Sequence, residues 1–342
     1  VPRYLKYAAA AAFAIQLSTS ALAAEFTMKI AVPDPMPGPG EVHYSTTPLM
    51  AYAKEIEEKS NGRIDVTIYW NDQLGKAGAV VNMVREGIVE AIMTGDGQIA
   101  PFAPDVQVLG VPYLFQNRSI AHEVLDGPAG QMLSDRIAET SGIRPLPWLE
   151  NGGYRHYSSN RLMKTVDDMK GLKIRTVNNR LHMQIVRSLG ANPTPIPWAD
   201  LYTGLQTGVV DGQENSLSTF RIPKLEEVQK YIILDGHVYS ILLIGVSEKW
   251  LNTLPEDLRA VINEAAKNMR DSNRRISAAQ EASDRKYLEE KGVTVVDVPA
   301  EEKVKFRDKT QGDAIKLLKD VVSEDIWARM KSAVEAAEKA QN

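Results

Sequence analysis

Gly171-Leu172-Lys173-Ile174-Arg175-Thr176-Val177 is followed by Arg180 to Leu189, then by Pro193-Thr194-Pro195-Ile196-Pro197-Trp198, and then by Val210-Asp211-Gly212-Gln213-Glu214-Asn215. Leu172 to Val177 alternates apolar and polar residues, the period of a half-buried strand. Residues 180–189 repeat their apolar positions at helical spacing. Thr194 to Ile196 is a short extended piece, Asp200 to Gln206 is helical, and Val209-Val210 reads as buried and extended. Short strands alternating with helices define an α/β fold with a parallel-rich sheet. Arg175 falls at the carboxyl end of its strand, where open α/β sheets bind ligands.

The same alternation runs upstream. Phe26 to Val32 is an opening strand, and a Pro/Gly loop follows from Pro33 to Gly40. A helix runs from Thr46 to Lys59, with Pro48 in its first turn. Arg63 to Tyr69 is a strand, Gly78 to Arg85 a helix, and Val89 to Met93 another strand. Downstream, the apolar run Tyr239 to Val246 can return the chain to the first sheet. Pro255 opens a proline-free helical pattern reaching about Lys291. No Gly/Ser-rich linker separates two halves, so two domains crossed several times by the chain are expected. Their limits are 25–150 with 241–280, and 151–240 with 281–342. The long helix would brace both.

Composition narrows the function. The chain has 342 residues, 40 Lys and Arg, 44 Asp and Glu, and a net charge of −4. Nothing basic enough for nucleic acid is present. An anion would have to be held by local arginines. There is no cysteine, which removes disulfides, thiolate metal sites and a cysteine nucleophile. The five histidines lack HxxxH and HExxH spacing, and no GxxxxGK[ST] loop occurs. No metal or cofactor is expected. Residues 1–24 combine Arg3 and Lys6 with an apolar run from Ala8 to Leu22 and small residues at 21–24. That order is a secretory signal, and it predicts work in the periplasm.

A guanidinium at a strand end offers a planar pair of donors that matches a carboxylate. Spacing alone leaves Arg175 open between that role and an ordinary ion pair. Asn215 can donate to the same carboxylate or cap a helix. Gly212 permits a tight bend before it. Trp198, after three prolines that fix φ, is either a flat wall under a ligand or a core aromatic. Asp96 and Gln98 follow a strand end, and His43 and Tyr44 follow the first loop. Asp211 and Glu214 allow a different reading, a secreted hydrolase acting on an acidic substrate.

From Phe26 to the C-terminal helices, and most specifically from Gly171 to Asn215, the chain resembles the solute-binding proteins of tripartite ATP-independent periplasmic (TRAP) transporters. The resemblance implies a two-domain periplasmic-binding-protein-like fold with a ligand cleft between the domains. It makes Arg175 the carboxylate-binding arginine and Asn215 a second ligand residue. It makes Arg155 a second cation, and Asn178 a loop residue near the ligand. It also implies polar ligand contacts at Asp96 and Gln98. An aromatic, often Phe, is usual where Trp198 stands. The implied function is capture of an organic acid, a sugar acid such as a uronate before a C4-dicarboxylate. The implied partners are the small and large membrane subunits of a permease; the protein itself is expected to be a monomer.

Overall fold

A computed structural model describes residues 23–341. Residues 1–22 of the expected signal segment lie outside the described residues. In chain order the first half comprises β1 (Phe26–Ala31), α1 (Thr46–Lys59), β2 (Ile64–Tyr69), α2 (Ala77–Glu86), β3 (Ala91–Gly95), α3 (Asp96–Ile99), α4 (Arg118–Asp126) and α5 (Pro128–Ser141). Next come β4 (Ile143–Ser159), β5 (Lys173–Thr176), α6 (Arg180–Ser188), β6 (Asn192–Pro195), α7 (Leu201–Gln206), β7 (Gly212–Asn215) and α8 (Leu217–Arg221). The chain ends with β8 (Tyr231–Ser247), α9 (Glu248–Leu251), α10 (Glu256–Glu290), β9 (Thr294–Asp297), α11 (Ala300–Leu318) and α12 (Glu324–Gln341).

Among the described residues the strands form one mixed sheet, in the order β2-β1-β3-β8-β4-β7-β5-β6, with β9 beside β8. β1 runs parallel to β2 and β3, and β5 runs parallel to β6 and β7. The two parallel groups are joined by β4 and β8, 17 residues each, which pair antiparallel and cross from one lobe to the other. Successive side chains of a strand point to opposite faces, and both faces here are covered. Ile241 and Leu243 of β8 enter a core shared with α4 and α5, while Leu242, Ile244 and Val246 enter a core shared with α1 and α10. A strand packed on both faces reads as a continuous apolar run, which is how 239–246 betrays itself in the sequence. Each fully buried Leu, Ile or Val contributes ~1.5–3 kcal/mol of apolar transfer.

The second lobe repeats this two-faced arrangement on a smaller scale. Ile233 joins Ile174, Val186 and Phe306 on one face, and Ile232 joins Leu205, Phe220 and Leu288 on the other. α10 serves both lobes. Its Leu258, Ile262 and Met269 lie in the first-lobe core, and its Leu288 lies in the second. At 35 residues and ~1.5 Å per residue it is long enough to do so.

Three sequence expectations change. The sequence reading places residues 281–342, and α12 with them, in the second domain. Its Ile326, Met330 and Val334 instead pack in the core of α4 and α5, because its apolar stripe finds the uncovered face of that pair. Val209 is not buried; it is 55% exposed on a turn, and only Val210 points inward. Gly212 is not a bend but the first residue of β7. A Cβ there would lie 2.0 Å from the Ser158 carbonyl oxygen, so glycine is what lets β7 pair closely with β4. No described helix is long and apolar enough to cross a membrane.

Candidate functional site

Both parallel groups point their carboxyl ends at one cavity of about 600 Å³. The first lobe contributes Asp34 after β1, Thr94 near the end of β3, and Asp96 and Gln98 on α3. The second lobe contributes Arg175 on β5, Asn178 after it, Trp198 after β6, and Asn215 at the end of β7. Arg155 and Asn151 enter from the crossing strand β4. Two crossing links tie the floor together: the Tyr44 hydroxyl donates to Asn151 Oδ1 at 2.7 Å and pairs with Thr219 Oγ1 at 2.8 Å.

Arg175 is 1% exposed. Its Nε–H donates to the Ile196 carbonyl at 2.9 Å, which fixes the plane of the guanidinium. Its Nη2 is buried with no protein partner, and among the described residues no carboxylate forms an ion pair with it. Burial, with Arg155 nearby, pulls its pKa down to about 10, against the pull of Glu214. The Trp198 ring lies 5.9 Å from the guanidinium carbon, within cation–π range. Trp198 itself is half-buried and packs at its back against the Leu201–Phe220 core. It is therefore wall and core at once.

Arg155 is differently placed. It is buried and forms a forked pair with Glu214, through Nε to Oε2 and through Nη2 to Oε1 at 2.9 Å. Nη2 also reaches the Glu214 carbonyl at 2.8 Å, and Nη1 donates to Ser240 Oγ at 2.9 Å. Four of its five N–H groups are thus engaged. Glu214 also faces His182 Nδ1 at 3.5 Å and His237 Nε2 at 3.4 Å. Burial favours its neutral form, but Arg155 and the two histidines hold its carboxyl well below the usual range. Behind it His237 Nδ1 meets Asp235 at 2.7 Å. Burial disfavours the imidazolium, yet Asp235 and Glu214 prevail and raise its pKa to about 9. This buried row neutralises Arg155 from behind, so Arg175 carries the uncompensated positive charge.

Asn215 Nδ2 donates to Gln213 Oε1 at 2.7 Å, leaving its second N–H and its carbonyl for the cavity. Asn215 is not a helix cap; Ser216 caps α8 by accepting from the Thr219 amide. His43 does not line this cavity. It faces a neighbouring depression with Arg221 and Tyr287, and its Nδ1 pairs with Ser45 Oγ at 2.9 Å. Asp211 and Glu214, the acids of the hydrolase reading, do not line the cavity either. Asp211 instead accepts from the Lys173 amide at 2.7 Å. Asp34, Thr94 and Asn151 were not singled out in the sequence. The available signal for Asp34 was an acid just after an apolar strand end. Among the described residues no cluster of His, Asp and Glu could hold a metal ion.

This cleft, built from strand ends of two lobes crossed by shared strands, is that of a solute-binding protein. Residues 39–320 match the DctP family, bacterial extracellular solute-binding protein, family 7. The chain belongs to that family, the solute-binding proteins of TRAP transporters. It is 38% identical over 247 residues to a solute-binding protein of Verminephrobacter eiseniae, covering 72% of this chain and 73% of that one. It is 32% identical over 241 residues to the 2,3-diketo-L-gulonate-binding periplasmic protein of Escherichia coli, covering 70% and 73%. The sugar acid binding protein DctPAm of Advenella mimigardefordensis, solved with galactonate, superposes with a TM-score of 0.84. It shares 30% identity and is covered to 98%, with 91% of this chain.

Proposed function

We propose that this protein captures a carboxylate-bearing organic acid in the periplasm, a sugar acid before a C4-dicarboxylate. It acts as a monomer and hands the ligand unchanged to the small and large membrane subunits of a TRAP permease. The observation that carries this reading is Arg175, a buried guanidinium in a cavity with a free Nη2 and, among the described residues, no carboxylate paired with it. A buried charge without a partner is costly, and a ligand carboxylate supplies the partner in a forked geometry. Asn215 donates beside it, and Trp198 gives the flat wall. Sugar-acid ligands of the E. coli and Advenella relatives support the order of preference. Neither Asp211 nor Glu214 stands where a bound ester or amide could be attacked, which favours binding over hydrolysis.

Calorimetry with a panel of sugar acids and dicarboxylates tests the reading. Arg175→Ala should lose more than a hundredfold in affinity, since a charge-assisted hydrogen bond contributes ~1.5–3 kcal/mol and two are removed. Arg175→Lys should also bind poorly, because an ammonium lacks the planar fork. Binding by Arg175→Ala within tenfold of the parent would defeat the assignment.

A further inference from the structure

Asp34 has no role in the account so far, yet it is a carboxylate 9% exposed that lines the cleft. It follows β1 in the first lobe and lines the same cavity as Arg175. Among the described residues no cation pairs with it. The groups that donate to its carboxylate are weak or neutral: Ser45 Oγ at 3.5 Å and the Trp198 side chain. Asp72 and Asp96 also line the cavity without an ion pair, and Asp72 acts on Asp34 as a like charge. Lys76, the cation on this side, is exposed and bound to Asp200 at 2.6 Å. The cleft is thus polarised. One lobe holds a guanidinium without an ion-pair partner, and the other holds Asp34, a carboxylate without one, whose oxygens suit hydroxyl donors.

We propose that Asp34 selects among organic acids by accepting from ligand hydroxyls, so that the protein takes polyhydroxylated monocarboxylates and rejects acids with a second carboxylate. This rests on Arg175 holding the first carboxylate. A second carboxylate in the same cavity would meet Asp34, which has no ion-pair partner among the described residues, whereas a terminal alcohol would donate to it. Burial, with Asp72 adding to it, pushes the Asp34 carboxyl up to about 6 against the pull of its Ser45 and Trp198 donors, in keeping with an acceptor that lacks strong donors until a ligand arrives.

Matched pairs test this directly. Galactonate and gluconate differ from galactarate and glucarate only in a terminal alcohol replaced by a carboxylate. At pH 8 the parent protein should bind at least one aldonate tenfold or more tighter than its aldarate. Asp34→Asn, which keeps the shape and adds donors, should shrink that ratio at least fivefold while its melting temperature stays at or above the parent's. Asp34→Ser provides a second variant should the first fold poorly. An unchanged ratio in the folded variant overturns the proposal, as does parent protein that binds the aldarate or succinate as tightly as the aldonate, or binds no aldonate. Arg175→Ala on the same panel separates the two claims. If it abolishes binding while the Asp34 ratio stands still, the carboxylate reading survives and only the hydroxyl reading falls.

Discussion

Trp198 touches both charged ends of the cleft, and its replacement should show which property of the ligand it governs. Its ring centroid lies 5.9 Å from the Arg175 guanidinium carbon, and its side chain acts as a donor toward the Asp34 carboxyl. Pro195 and Pro197 limit how far its backbone can retreat. Trp198→Phe keeps a flat apolar face but removes bulk and the donor to Asp34. It should preserve carboxylate binding and widen the range of acids accepted. Trp198→Ala should cost affinity by up to ~3 kcal/mol, the low end for a truncated aromatic, because the ring is only half-buried. A ligand panel and a melting curve on both variants decide the matter. Lowered melting temperatures with an unaltered ligand ranking would mean that the ring serves only the core.

At the scale of elements, Asn273 of α10 binds the backbone of the crossing strand β4, beside Ser277 and Arg274 of the same helix. Asn273 is fully buried. Its Nδ2 donates to the Tyr44 carbonyl at 2.8 Å and the Glu150 carbonyl at 3.0 Å, and its Oδ1 accepts from the Glu150 amide at 2.8 Å. Asn273→Ala leaves three backbone groups buried without partners, each costing ~1–3 kcal/mol. We expect urea denaturation to show a loss of about 3 kcal/mol or more; a loss under about 1 kcal/mol would show that α10 does not anchor β4 this way. The helix itself was legible from its period, as were β1, α1, β2 and α6, whose apolar spacing is regular. β4 was not. Pro145, Pro147, Gly152 and Gly153 lie inside it, and such residues ordinarily mark loops. The strand tolerates them where its register with β8 shifts, between Pro145 and Trp148 and between Glu150 and Tyr154. The docking of α12 was hidden for another reason: an amphipathic pattern shows that a helix has an apolar face, not which surface covers it. Likewise the strand-end position of Arg175 could be read from its neighbours, whereas the neutralisation of Arg155 by Glu214, 59 residues away, could not.

The whole molecule is two lobes whose charged ends face each other across a cavity, joined by strands that are irregular where they cross. β4 loses its pairing with β8 over residues 151–153, and Gly152 and Gly153 there have φ of 75° and 96°. A second shift falls between Arg155 and Tyr157. Fewer ladder hydrogen bonds and glycine backbones make this the least costly place to bend, and Asn151 and Arg155 of the same segment line the cleft. A ligand that bridges Arg175 on one lobe and Asp34 on the other gains both contacts only when the lobes are close, so its binding favours the closed arrangement by its differential affinity. α10, packed into both cores, would flex along its length rather than release either lobe. We therefore predict that a saturating sugar acid lowers the radius of gyration in small-angle scattering, and that Arg175→Ala, which cannot hold the carboxylate, shows no such change at the same concentration. Substituting Gly152 with alanine should oppose the motion, since its φ is positive and a Cβ there would lie 2.5 Å from Ser216 Oγ. Identical scattering with and without ligand, in a sample shown by calorimetry to be saturated, would rule out hinge closure in this protein.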